Sequence, residues 1–174
     1  SAVRAHFQNH GWRMRLMQTF YQKHEKLLIA LFIALIQLSV VPFLNGRYSD
    51  TDNYTHAIRL LDLIQSRTWA ETPYLHSNYP FGEILHFTRI TDAAWLLCCL
   101  PLMPFMPLKS AVFWGGMIFQ LVVAIGVALA LVQALKPVVP AFFRLLGTVF
   151  FFLLPSSTET FLISKPDHHA LTAL

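Results

Sequence analysis

Three stretches of the chain carry side chains that can do chemistry. The first is Ser49-Asp50-Thr51-Asp52-Asn53, in which Asp50 and Asp52 stand one residue apart. Two such carboxylates either accept the orphan N–H groups of a helix start or hold a cation and act on a substrate. The second is His76-Ser77-Asn78-Tyr79-Pro80-Phe81-Gly82, followed by Glu83, His86, Arg89 and Asp92. Tyr79-Pro80 and Gly82 read as a turn, and His86 is either a metal ligand or a solvated loop histidine. The third is Lys165-Pro166-Asp167-His168-His169. Here Asp167 and His169 can reach one cation from a short turn while His168 points elsewhere. A carboxylate with an imidazole suits a divalent ion such as Mn²⁺ better than a structural zinc site.

The rest of the chain has to place these stretches, and its composition says in what solvent. Of 174 residues, 55% are apolar and 13% charged, where an ordinary soluble domain has roughly a quarter charged. That balance excludes a disordered chain and argues against a soluble enzyme. The expected fold class is an all-α integral membrane protein, a multispanning helical bundle. The net charge of +4 does not point to nucleic acid, because Arg4, Arg13, Arg15, Lys23 and Lys26 all precede the first apolar run, with Glu25 the only acid there. They read as the cytoplasmic basic flank, 1–26, of a membrane helix. Cys98 and Cys99 are adjacent inside an apolar run, where they read as packing residues rather than a disulfide or a metal framework.

The apolar runs set the expected boundaries. A first membrane helix covers 27–44, interrupted only by Gln37 and Ser39. The segment 45–110 then forms an external loop, whose part 45–92 carries four Arg and six carboxylates, the opposite balance to the leader. Inside it, 53–67 predicts an amphipathic helix along the membrane surface, with Tyr54, Ala57, Ile58, Leu61 and Ile64 on one stripe and Arg59, Asp62 and Gln65 opposite. The apolar run 93–108 contains Pro101, Pro104 and Pro107, which disfavour a straight spanning helix, so it is expected not to cross. A second membrane helix covers 111–135 and a third 138–155, with Arg144 near its start placed to snorkel to the headgroups. The second external loop is 156–169, and 170–174 reads as the start of a further helix, so the chain reads as the N-terminal part of a longer membrane protein. With 93–108 not crossing, Asp50 and Asp167 emerge on the same outer face of a plasma or inner membrane, and the N-terminus is cytoplasmic.

In order and spacing, these residues resemble a known family. Asp50 just after a first membrane helix, Asn53-Tyr54, Arg59-Leu60-Leu61, Tyr79-Pro80-Phe81-Gly82 and Asp167-His168-His169 after two further spans resemble the N-terminal region of oligosaccharyltransferase catalytic subunits, the archaeal type above all. Those are GT-C glycosyltransferases, multispanning enzymes that use polyprenyl-phosphate-linked sugar donors, and the resemblance covers about residues 27–174. It implies that Asp50 binds the metal and contacts the acceptor, that Asp167 and His169 are metal ligands of the second loop, and that His86 is a further ligand. It departs at Thr51, where the family has Pro, and at Asp52, where an aromatic residue is usual. The family's acceptor-binding Trp-Trp-Asp motif does not occur in this chain, so the acceptor is left open between protein, lipid and polysaccharide.

The expected chemistry is sugar transfer from a polyprenyl-phosphate-linked donor at the outer membrane face, dependent on Mn²⁺ or Mg²⁺. Asp50 or Asp52 would orient or deprotonate the acceptor. Arg59, Arg89, His168 and Tyr79 form the candidate phosphate- and substrate-contacting set, the arginines having solvated surface roles as their alternative. Membrane lipid and the remaining C-terminal part of the same protein are the further partners. The rival reading is a noncatalytic integral membrane subunit whose external loop docks a partner. A transporter finds no support, since 27–44 and 111–135 hold no ionisable residue. The Asn53-Tyr54-Thr55 glycosylation triplet reads as coincidental.

Overall fold

The computed structural model describes residues 2–69, 80–82, 89–166 and 169–170, with side chains omitted for 2–19 and 21. Among the described residues there are six α-helices and no strand: α1 (Ala2–Val40), α2 (Thr51–Ser66), α3 (Arg89–Cys99), α4 (Leu108–Leu135), α5 (Ala141–Leu153) and α6 (Pro155–Phe161). The stretches Gln22–Phe43 and Leu108–Leu135 are long and apolar enough to cross a membrane, and α5 with α6 makes a third if the bent pair counts as one span. At 1.5 Å per residue, α4 reaches about 42 Å against a hydrocarbon core of about 30 Å.

Each boundary has a local cause. Pro42 lacks the N–H that α1 would need to continue, so the helix tightens into a 3₁₀ turn over Val41–Phe43. The chain then reverses at Asn45 and Gly46, both at positive φ, a region that Asn tolerates and Gly enters freely. The prolines of 93–108 lie beyond α3: its helix ends at Cys99, and Pro101 and Pro104 sit in the turns that lead to Pro107 at the start of α4.

Hydrogen bonds define the two ends of the bundle. Tyr48, just past α1, donates its hydroxyl to the Phe113 carbonyl (3.1 Å) near the start of α4, and Trp95 Nε1 of α3 donates to the Val112 carbonyl (2.9 Å). At the other end, Gln22 of α1 and Lys136, just past the end of α4, line the same cavity. Helices α1 and α4 are therefore antiparallel, and α3 stays at the Tyr48 end. Gly115 and Gly116 make the α3–α4 crossing close, because a Cβ at Gly115 would run into the Cys99 sulfur and one at Gly116 into the Trp95 ring. The core gathers Ile29 and Ile33 of α1 with Trp95, Val112, Phe119 and Ala124. The large apolar side chains left outside it, Leu31, Leu35, Val122 and Phe150 among them, suit a lipid surround.

Two expectations are corrected here. The third helix is shorter than the expected 138–155, running from Ala141 to Leu153, and where an external loop was expected to begin, α6 leaves at 77°. Pro155 is the reason, since it cannot donate back into α5 and it forces Leu154 into an extended conformation (ψ 137°). Polar side chains take up backbone groups before, along and just after α6. Gln120 of α4 donates to the Thr160 carbonyl (2.8 Å), Gln37 of α1 accepts from the Ile163 N–H (2.8 Å), and Thr158 donates to the Phe152 carbonyl (2.9 Å). Broken helices at membrane depth are tolerated where neighbours satisfy the freed groups in this way. The second correction is Arg144, which does not snorkel. It is buried against α1, donating through Nε and Nη2 to the two oxygens of Glu25 (2.9 and 2.8 Å) and through Nη1 to the Val139 carbonyl (2.7 Å).

Candidate functional site

Helix α2 follows the first apolar helix by a short turn, and Asp50 is its N-cap. Asp50 Oδ1 accepts from the Asp52 N–H (3.4 Å) and from the Thr51 hydroxyl (3.3 Å). Capping is thus one role of this carboxylate, and it uses one oxygen. The other oxygen, Oδ2, faces the Lys165 ammonium at 3.5 Å, and the same ammonium reaches Glu159 Oε1 at 3.3 Å. The Asp52 N–H holds the Asp50 carboxyl below the usual carboxylate range, with Lys165 adding to the effect. Burial alone would lower the Lys165 ammonium, but Glu159 and then Asp50 outweigh it and raise its pKa.

The backbone joins the same two segments. The Ser164 carbonyl accepts from the Ser49 N–H (3.1 Å), the Ser49 hydroxyl (3.3 Å) and Asn53 Nδ2 (3.5 Å). Residues 115 apart in sequence are therefore stitched together, and the turn that reaches Lys165 leads directly into 166–169. Gln37 anchors that turn from inside α1, through Ile163. Beside the seam, Asn53 Oδ1 and Ser164 Oγ are buried with no hydrogen-bond partner among the described residues.

The amphipathic helix does not turn the face its spacing suggests. Asn53, His56, Ala57, Arg59, Leu60 and Leu63 are its buried residues, while Tyr54 and Ile58 are exposed. Arg59, expected on the solvated side, is 8% exposed and pairs with Asp92 of α3 (Nη2 to Oδ2, 2.9 Å). The reason is tertiary: α2 packs its polar N-terminal half against the Trp95 region of α3 and α4, where Asp92 supplies the counter-charge. Arg89 reaches the same Asp92 oxygen at 3.3 Å. Burial raises the Asp92 pKa against the lowering pull of Arg59 and Arg89. At 1.5 Å per residue, Arg59 sits about 13 Å along α2 from Asp50, so the two arginines form a cluster of their own.

Of the candidate residues, Asp50 and Asp52 lie at the seam, Asp52 exposed in the first turn of α2, and His169 is exposed just beyond it. Tyr79, His86, Asp167 and His168 lie outside the described residues. Among the described residues, no group of three or more His, Cys, Asp or Glu is placed to hold a metal. Sequence reasoning passed over Lys165, Ser164 and Gln37, although an isolated Gln in an 18-residue apolar run was a visible signal. Asn53 is fully buried in α2, so its glycosylation triplet is not accessible. Burial pushes the Cys99 thiol up to about 12, in keeping with a packing residue. Compared with family models, with curated proteins and with solved structures, the chain matches none of them.

Proposed function

We propose that the chain is part of a metal-dependent membrane glycosyltransferase of GT-C type, which transfers a sugar or oligosaccharide from a polyprenyl-phosphate-linked donor to an acceptor at the outer membrane face. The observation that carries this reading is the seam: Ser49, Asp50 and Asn53 are tied to Ser164 and Lys165, two residues ahead of Asp167. Asp50 and the turn that precedes Asp167 in sequence thereby meet at one place, beside the end of an apolar helix where a lipid-linked substrate would arrive.

Two oxygens at this place support the reading of a hard divalent ion. Asp50 Oδ2 already faces a cation, and Asn53 Oδ1 is a buried amide oxygen with no donor among the described residues. Asp50, Asp167 and His169, with His86 as a further ligand, would hold Mn²⁺ or Mg²⁺. Bound there, the ion supplies charge neutralisation for the leaving phosphate. The chain's own residues do the rest. The depressed pKa of Asp50 keeps it ionised, which suits a ligand and an acceptor-orienting group better than a proton acceptor. Asp52, exposed one step into α2, is the carboxylate left to take the acceptor proton as the acceptor attacks the anomeric carbon and the sugar–phosphate bond breaks. Arg59 holds Asp92 and positions α2 against α3, and Arg89 of α3 reaches the same carboxylate.

The second reading is the noncatalytic subunit. It is favoured by the same Asp50, since capping α2 and pairing with Lys165 are uses that need no ligand. Mn²⁺ binding to the detergent-purified full protein separates the two. The enzyme reading expects binding that Asp50→Ala and Asp167→Ala each abolish, together with loss of turnover of a lipid-linked sugar. Binding that is absent, or indifferent to both changes, overturns it in favour of the subunit.

A further inference from the structure

The end of the bundle opposite Asp50 has a site of its own. A cavity of about 740 Å³ opens there between Gln22 of α1 and the turn 136–140 that joins α4 to α5. Pro137 and Pro140 fix φ at two points of that turn, so the shape is preset. Most of its wall is apolar and open to the surroundings: Val138, Phe142 and Phe143 are 76%, 63% and 58% exposed. Its charge has one sign. Lys136 lines the wall, Lys23 and Lys26 are exposed on the adjoining turns of α1, and no carboxylate lines it among the described residues. Glu25 does not change that sign, because Arg144 holds both its oxygens. The first turn of α5, which no side chain caps, belongs to the same wall and adds amide donors.

A cation at the rim of an apolar wall matches a molecule with an anionic head and hydrocarbon tails. We propose that this cavity binds an anionic phospholipid, its phosphate at Lys136 and Gln22 and its acyl chains along Val138, Phe142 and Phe143. Juxtamembrane Lys and Arg attract anionic headgroups by about 1 kcal/mol each, roughly fivefold in binding. A soluble phosphate would leave the apolar wall uncovered. A second copy of the chain would have to bring acids to this end, whereas Asp52 and Glu159 are exposed at the other. The assignment does not rest on glycosyl transfer.

Native mass spectrometry of the detergent-purified protein, with phosphatidylglycerol or phosphatidylcholine added, tests it. Phosphatidylglycerol is expected to be retained over phosphatidylcholine. Lys136→Gln should lower that retention about fivefold and leave phosphatidylcholine unaffected. Lys109→Gln, the same charge change at the start of α4, should lower nothing, and millimolar inorganic phosphate should not displace the lipid. Equal retention of the two lipids, an unaltered Lys136→Gln variant, or displacement by inorganic phosphate overturns the proposal.

Discussion

The two ends of the bundle each hold an ion pair between segments more than a hundred residues apart, and the pairs are built differently. At one end, Arg144 meets Glu25 through two hydrogen bonds of 2.9 and 2.8 Å, gives a third to the Val139 carbonyl, and both residues are 7% exposed. At the other, Lys165 stands 3.5 Å from Asp50 and divides itself between that carboxylate and Glu159, whose side chain is 75% exposed. The planar guanidinium forks onto both carboxylate oxygens and is engaged at all three nitrogens, whereas the ammonium is a point charge with two partners and a route to solvent. The first arrangement fastens α5 to α1. The second leaves the Asp50 side chain 37% exposed and within reach of solvent.

The largest effect that would break this contrast is at the fastened end. Glu25→Ala leaves a guanidinium buried without its counter-charge and is expected to destabilise the protein by about 3–5 kcal/mol, read as a lowered unfolding midpoint in detergent. Glu25→Leu combined with Arg144→Leu should recover most of that loss, since neither charge is then left buried alone. A Glu25→Ala protein as stable as the wild type would mean that the pair fastens nothing.

A smaller effect sharpens the other side. Lys165→Met removes the cation that competes for Asp50, so Mn²⁺ affinity is expected to rise, by up to about fivefold, with the unfolding midpoint unmoved. A fall in affinity would show that Lys165 supports the site rather than shields it. Smallest are the responses to salt and pH. Molar salt should weaken the exposed Asp50–Lys165 pair and leave Glu25–Arg144 in place. The folded pKa of Asp50 lies below its unfolded value, so its contribution is present above the unfolded carboxylate range and is lost as pH falls through the depressed value. Lys165 is raised, so its contribution is present below the unfolded lysine value and is lost as pH rises through the folded one. The seam alone should loosen at both extremes, visible as faster amide exchange at Ser49 with that of α4 unchanged.

Uneven amounts of this were legible in the sequence. The long apolar helices were, because an uninterrupted apolar run leaves the chain few alternatives. The extent of α2 was legible to within two residues at its start and one at its end, with Asp50 as a recognisable cap, but its rotation was not. Arg59 is buried because Asp92, 33 positions on, receives it, and no local pattern carries that pairing. Arg144 and Glu25 were hidden for the same reason. Pro155 was a plain signal of where α5 ends, but nothing in the polar stretch Ser156-Ser157-Thr158-Glu159-Thr160 after it announced the helix α6. At the candidate site, the acidic residues drew attention by type. The residues that bring the two segments together, Ser49, Ser164 and Gln37, make bonds that each involve a backbone group on at least one side, and they are ordinary in type.

The break at Leu154 also bears on how the chain is made. On its own, α5 is too short to cross, and at the far end of α6 Gln120 donates to the Thr160 carbonyl while Gln37 accepts from the Ile163 N–H. Both glutamines lie earlier in the chain, so the ribosome delivers them before the segment that needs them. A nascent α1 and α4 already sitting in the bilayer offer the bent pair a polar berth that lipid cannot. A chain without either glutamine would leave a backbone group of this bent segment without its side-chain partner, a cost that falls on insertion before it falls on the finished fold.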